Sequence, residues 1–218
     1  RRHERAPVHQ GAVRVHVHTG LTGVVLAGGR SSRFGRDKLA EPYRGEPILH
    51  HTLRRVGAVC EEVVLVLSPD DPEPPLPSGL AVRTARDPAP YEGPLAGAHA
   101  GLLAVRTELA LLVGGDMPGL VPEVVEEMVR ATADPAVEAA ALVDTGRARP
   151  LPVLARVAPA VRAAGELLAS GHRRLRDLLG ALRVAVVEEA TWTSLDAGRR
   201  SLVDVDVPGD LETLDEER

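Results

Sequence analysis

Short runs of consecutive apolar residues alternate with helical segments along nearly the whole chain, and this alternation limits the fold more than any other feature. The runs at residues 24–27, 63–67 and 109–113 carry no polar interruption. Strands of that kind are buried on both faces, as in a parallel sheet covered by helices on each side. Further strand patterns lie at 81–84, 137–143, 151–155 and 183–187. Helical segments are predicted over 47–59, 94–105, 122–131 and 157–179, the last broken at Ser170-Gly171, with a terminal helix from Pro208. Pro47 suits a first helical turn, where its missing N–H costs nothing. The order predicts an α/β fold with a mostly parallel sheet, and the pair of strands within 137–155 an antiparallel element at one edge.

The length of 218 residues suits one domain, read as 21–218, behind a basic arm at 1–20. Val13, Val15 and Val17 alternate with polar residues there, the pattern of a short strand. The arm holds four of the eight His residues, and it reads as a solvated segment rather than a metal site.

Composition narrows the function. The net charge is −5, only four residues are aromatic (Phe34, Tyr43, Tyr91 and Trp192), and 44% of the chain is hydrophobic. That is enough for a real core. It argues against a nucleic-acid binder, which needs stacking platforms and a basic track. Cys60 is the single cysteine, which rules out an intrachain disulfide and a cysteine zinc site. No apolar run approaches the ~20 residues of a membrane span. The basic start is not followed by an apolar signal core, so a soluble cytoplasmic protein is expected. Of the 26 basic residues 25 are Arg; Lys38 is the one lysine, Asn is absent, and Gln10 and Ile48 are single. A GC-rich gene produces this bias, and it makes the surviving lysine conspicuous.

Lys38 ends the sharpest motif, Leu26-Ala27-Gly28-Gly29-Arg30-Ser31-Ser32-Arg33-Phe34-Gly35-Arg36-Asp37-Lys38, which follows the first apolar strand directly. Ligands of parallel sheets bind beyond the carboxyl ends of the strands. Gly28 and Gly29 let backbone approach a ligand closely, and successive N–H groups form an anion nest. Four cations and one anion between Arg30 and Lys38 give a local charge of about +3, which suits a phosphate. The motif is not a P-loop, because Gly35 precedes Arg36, and not a dinucleotide fingerprint, because Gly28 precedes Gly29. Downstream, Gly114-Gly115-Asp116-Met117-Pro118 sets a carboxylate just after an apolar strand. There Mg²⁺, which takes one or two carboxylates plus substrate phosphates, can meet a nucleotide. Alternation puts Asp204 and Asp206 on one side of an extended segment. Asp210 reads as the cap of the terminal helix and His99 as a packing residue.

The pattern L-A-G-G-x-S-x-R-F-G-x-D-K, complete from Leu26 to Lys38, resembles the signature of the MobA-like nucleotidyltransferases. The resemblance covers about residues 20–215 and implies a three-layer Rossmann-like nucleotidyltransferase fold. Gly115-Asp116-Met117-Pro118 resembles the family's C-D-x-P motif with Gly in place of Cys. Asp87 with Gly93-Pro94-Leu95-Ala96-Gly97 resembles its D…G-P-L-A-G element, and Asp204 to Leu211 its N-x-N-T-P-x-D-L segment with Asp at both Asn positions. Arg149 to Leu154 resembles the Q-P-L-x-A-L strand on the acceptor side, and residues 171–179 the G-x-x-S-L-R-x-L-L helix.

The resemblance implies transfer of GMP from GTP to the terminal phosphate of molybdenum-molybdopterin, with release of pyrophosphate and with Mg²⁺ as cofactor. It also implies transient contact with molybdopterin-handling proteins. Lys38, Arg33 and Asp116 are the implied catalytic residues. Leu26, Ala27, Gly28, Gly29, Lys38, Ser68, Asp87 and Asp116 would bind nucleotide, Ser68 standing where relatives carry Asn. Asp116 and Asp206 would hold metal, with Asp204 the alternative to Asp206. The competing readings are a transferase that uses CTP or another phosphorylated acceptor, such as a sugar or isoprenoid phosphate, and a non-catalytic nucleotide-binding module.

Overall fold

The computed structural model describes residues 17–28, 38–87, 93–207 and 209–214. Seven strands form one sheet: β1 (His18–Leu26), β4 (Cys60–Leu67), β5 (Val82–Arg86), β6 (Leu109–Gly114), β7 (Ala139–Asp144), β8 (Arg147–Arg156) and β9 (Val184–Val187). A two-stranded ribbon of β2 (Pro42–Tyr43) and β3 (Glu46–Pro47) lies apart from it. The helices are α1 (Ile48–Val59), α2 (Pro94–Ala104), α3 (Pro122–Ala131), α4 (Val157–Ala169), α5 (Leu175–Gly180), α6 (Glu189–Leu195) and α7 (Asp210–Thr213). The break predicted at Ser170-Gly171 within 157–179 separates α4 from α5, where Gly171 takes a φ of 85°.

The strand order is β5-β4-β1-β6-β8-β7-β9. β1 pairs in parallel with β4 and β6, β4 with β5, and β7 with β9, while β8 runs antiparallel to both β6 and β7. The antiparallel element expected toward one edge is therefore β8 alone, and it stands inside the sheet with β7 and β9 beyond it. The tight turn at Thr145 and Gly146, both at positive φ, reverses the chain between β7 and β8.

Two apolar layers flank the sheet. On one face Leu53 and Val56 of α1, Val124 and Met128 of α3, and Trp192 of α6 pack over Val25, Leu65, Leu111 and Val113. On the other, Leu95, Ala98 and Leu102 of α2 and Ala160 and Ala164 of α4 pack over Val24, Val64, Leu112 and Val153. Successive residues of a strand feed opposite layers, which is why these strands are apolar throughout. The prediction of three α/β layers with a mostly parallel sheet is met. Helix α6 was absent from the sequence reading; it is short, and its buried Trp192 donates Nε1–H to Val143 O at 2.7 Å. Strand β1 takes in residues 18–20, with Gly20 N–H donating to Glu61. The predicted strand at 13–17 lies mostly outside the described residues.

Candidate active site

The carboxyl ends of the parallel strands bring the predicted residues to one rim. In sheet order they are Asp87 after β5, Ser68 after β4, Gly28 after β1 and Asp116 after β6. The parallel ladder is extended past the strand ends by Ala27 N–H to Val66 O, Asp87 N–H to Leu67 O and Gly115 N–H to Leu26 O, each 2.9 Å. These bonds fix the three loops relative to one another before any ligand arrives.

Gly28 sits where a side chain has no room. A Cβ there would lie 2.9 Å from Ser68 Oγ and 3.0 Å from Ser68 N. The structure thus brings Gly28 and Ser68 together at this rim. Gly29 and Arg33, assigned to nucleotide binding and catalysis, lie outside the described residues, as does the rest of 29–37.

The Asp116 turn is held from several directions. Thr52 of α1 donates its buried hydroxyl to Gly115 O at 2.9 Å, and Val205 N–H donates to Asp116 O at 2.9 Å. Gly115, the departure from the family's Cys, is filled by a neighbour: a Cβ there would meet Leu39 Cδ1 and Leu26 O, both at 3.2 Å. Thr52 escaped the sequence reading. Its signal was a lone polar residue on the apolar face Ile48, Leu49, Leu53 and Val56 of α1.

At the centre is Lys38. Its Nζ lies 2.5 Å from Asp116 Oδ2 and 3.1 Å from Asp206 Oδ1, and its side chain is 18% exposed. Burial pulls the ammonium pKa down, but the hydrogen bonds and charges of Asp116 and Asp206 outweigh it and raise the pKa above the usual lysine value. The amine is therefore a fixed cation at neutral pH. Asp204 is close enough to feel the same charges. Burial first, then the Asp116 and Asp206 carboxylates, push its pKa up to about 6, against the pull of Arg149 and Lys38. Val205 between them is fully buried, so Asp204 and Asp206 do share one side of the segment.

The C-terminal segment that carries these carboxylates is anchored from below. The buried Asp196 carboxylate accepts Ser201 N–H at 2.7 Å, and the Ser201 hydroxyl accepts Val121 N–H at 3.0 Å. Asp210 does not cap α7, whose N-cap is Gly209; its Oδ2 instead accepts Asp206 N–H and Val207 N–H at 2.7 and 2.8 Å. It positions Asp206 instead. His99 packs at the contact between α2 and α4, near Gly165. Gly93 opens α2 with a φ of 91°, and a Cβ there would meet Arg173 O at 2.8 Å, so only glycine serves.

The donor set suits Mg²⁺. Asp116 and Asp206 are hard carboxylates that share the Lys38 ammonium between them, and Mg²⁺ asks for no more than one or two such ligands, filling its other positions with phosphate and water. Among the described residues no three His, Cys, Asp or Glu side chains form a ready cage. Burial pushes the Cys60 thiol up to about 12, away from any nucleophilic role.

With Gly28 and a Lys–Asp pair at a parallel sheet's carboxyl rim, the comparison that decides the family is direct: residues 23–188 match the model of the MobA-like NTP transferase domain. The chain belongs to the MobA-like NTP transferase family. It is a nucleotidyltransferase. A relative from Chloroflexus aggregans, named probable molybdenum cofactor guanylyltransferase, is 31% identical over 205 residues, 91% of this chain and 95% of that one. The crystal structure of molybdopterin-guanine dinucleotide biosynthesis protein A from Archaeoglobus fulgidus superposes with a TM-score of 0.71 at 20% identity, covering 89% of this chain and 97% of its own. The 2-C-methyl-D-erythritol 4-phosphate cytidylyltransferase of Thermus thermophilus gives 0.64 at 20% identity, covering 88% and 96%. These two share the fold. No helix among the described residues is long and apolar enough to cross a membrane.

Proposed function

We propose that this nucleotidyltransferase moves GMP from GTP to the terminal phosphate of molybdenum-molybdopterin, making molybdopterin guanine dinucleotide. An acceptor phosphate oxygen attacks the α-phosphorus and a new P–O–P bond forms. The bond from the α-phosphorus to the bridging oxygen breaks, and pyrophosphate leaves with that electron pair. A phosphate monoester is already anionic near pH 7, so the site needs no strong base. The rate then comes from in-line positioning and charge neutralisation.

The observation that carries this reading is the contact of Lys38 with both Asp116 and Asp206 beside the Gly28 loop. In it, backbone N–H groups from Gly28 and Gly29 to Ser32 would cradle the triphosphate, with Leu26 and Ala27 on the guanine side. Ser68 and Asp87 line the nucleoside side of the same rim. Lys38 and Arg33 offset charge on the α-phosphate and the leaving group. Asp116 and Asp206 would hold Mg²⁺, which when bound supplies positive charge across the triphosphate. GTP is a cytoplasmic nucleotide, and the proposed place of action is the cytoplasm.

The choice of GTP and of molybdopterin leans on relatives named for that activity. Cytidylyltransferases share the fold. Assaying the purified enzyme with each NTP and molybdopterin tests the reading. Turnover with GTP at least about a hundredfold above CTP is expected. Turnover of CTP without GTP would overturn it and favour the cytidylyl reading.

A further inference from the structure

The segment that leaves β4 is short of donors of its own. Five of the nine residues from Pro69 to Pro77 are proline and carry no backbone N–H. Its carbonyl oxygens must find partners elsewhere. One bond is internal: Asp71 N–H donates to Ser68 O at 3.3 Å and closes a turn over residues 68–71. At the far end His50 of α1 donates its Nε2–H to Pro75 O at 2.8 Å.

The near end is held by Arg86. Its Nη1 donates to Ser68 O and Pro69 O, both at 3.1 Å, and to Asp71 O at 2.8 Å. One nitrogen thus gathers three carbonyl oxygens of a single turn. The register explains the reach, because Leu67, the residue before Ser68, pairs with Arg86 in the ladder of β4 and β5. β5 is the outermost strand, so no further strand supports the turn from that side. On the inner side, Ser68 Oγ and Ser68 N lie 2.9 and 3.0 Å from where a Cβ on Gly28 would stand. Ser68 is therefore clamped between Gly28 and the Arg86 guanidinium. The ion pair of Arg86 with Glu73 is long, at 4.0 Å, so the carbonyl bonds fix the guanidinium.

Resting on the placement of the nucleoside proposed above, we infer that Arg86 is a positioning residue. It holds the Ser68 turn against Gly28 and so sets the wall on which the nucleoside lies, without touching the nucleotide. Asp87 follows it directly, with its N–H on Leu67 O at 2.9 Å. Ser68 and Asp87 thus both take their place from the end of β5. A wall fixed in advance spares the nucleotide the cost of ordering it, so its loss appears as weaker nucleotide binding.

Calorimetry with GTP and with CTP, each with Mg²⁺ and without acceptor, tests this in Arg86→Met and Arg86→Lys. Affinity for the nucleotide should fall at least about tenfold in Arg86→Met, which keeps the stem and loses the donors. Arg86→Lys should stay within about threefold of the unaltered enzyme, since an ammonium also carries several donors on one nitrogen. Steady-state kinetics with molybdopterin should show the loss in the nucleotide KM, with kcat at saturating nucleotide within about threefold. In the nucleotide-free chain, amide exchange at Asp71 should quicken at least about tenfold in Arg86→Met, which a guanidinium that met only the nucleotide would not produce. Arg86→Gln, whose amide reaches fewer of the carbonyls, gives the same readings if the methionine variant does not fold. Unchanged affinity in Arg86→Met, no recovery in Arg86→Lys, a fall in kcat as large as the rise in KM, or unchanged exchange at Asp71 would each overturn the inference. Binding of CTP in place of GTP, or no turnover of molybdopterin, removes the reaction proposed above; the inference then stands if nucleotide affinity depends on Arg86 and falls if it does not. Binding of neither nucleotide by the unaltered enzyme overturns both.

Discussion

Lys38 Nζ lies 2.5 Å from Asp116 Oδ2, although 78 positions separate the two residues in the chain. The contact joins the end of the glycine loop to the turn after β6, the two places where the motifs put positive and negative charge. It explains why the lysine is not one more arginine. The ammonium is compact and fits between two carboxylates, whereas a guanidinium is wide and planar.

Lys38→Arg should therefore lower kcat by about 10²–10³, the loss expected when a donor to transition-state charge is misplaced. Stability should barely change, because the charge and its two carboxylate partners remain. Thermal melts alongside single-turnover rates check both halves. Wild-type rates in the arginine variant would remove Lys38 from the reaction.

Asp116→Asn should cost about 10²–10³ in kcat, and added Mg²⁺ should not restore it, since the amide is a poor ligand for a hard cation. Rates measured across a Mg²⁺ titration decide this. Full activity at saturating Mg²⁺ would mean that Asp116 contributes only affinity for the metal.

Asp204 makes stability depend on pH. Its folded pKa of about 6 lies above the ordinary aspartate value of 3.8, so between these values the folded chain holds a proton that the unfolded chain has lost. Stability from this group is fully present below about pH 4 and falls as pH rises toward 6. Asp204→Asn should make the protein more stable at pH 7 by on the order of 1 kcal/mol, solvent screening of a partly exposed carboxylate keeping the effect small. Urea unfolding at several pH values should show the gain at pH 7 and its disappearance in acid.

Gly28→Ala should cost about 1–3 kcal/mol, because the added methyl meets Ser68 backbone and the loop or β4 must shift. The same shift moves the phosphate cradle, so the KM for the nucleotide should rise at least about tenfold. Denaturant melts and nucleotide titrations read the two effects separately. An unchanged KM in a folded variant would place the triphosphate elsewhere.

Much of this protein was legible as sequence. The apolar runs led to β1, β4 and β6 because a strand buried on both faces must be apolar at every position, a local signature. The glycine loop, Asp116 and the Asp204–Asp206 alternation were legible for a related reason: each depends on a few residues at short spacing. What stayed hidden was pairing over distance. Whether the antiparallel strand closes the edge or stands inside the sheet depends on which neighbour completes its hydrogen bonds, and β8 lies between β6 and β7. Nothing near Asp210 in the chain says that its carboxylate will turn back to Asp206 N–H rather than cap its own helix.

The sequence by itself determined the layers, the rim where the motifs converge and the residue types gathered there, since periodicity and turn chemistry act within a few residues. Only the tertiary structure decided that Lys38 bridges Asp116 and Asp206, that Thr52 holds the turn beneath them, and that Asp210 turns back to Asp206 N–H. Those relations arise from strand order and register, where the free energy of burying two helical layers selects among pairings that the local sequence permits equally.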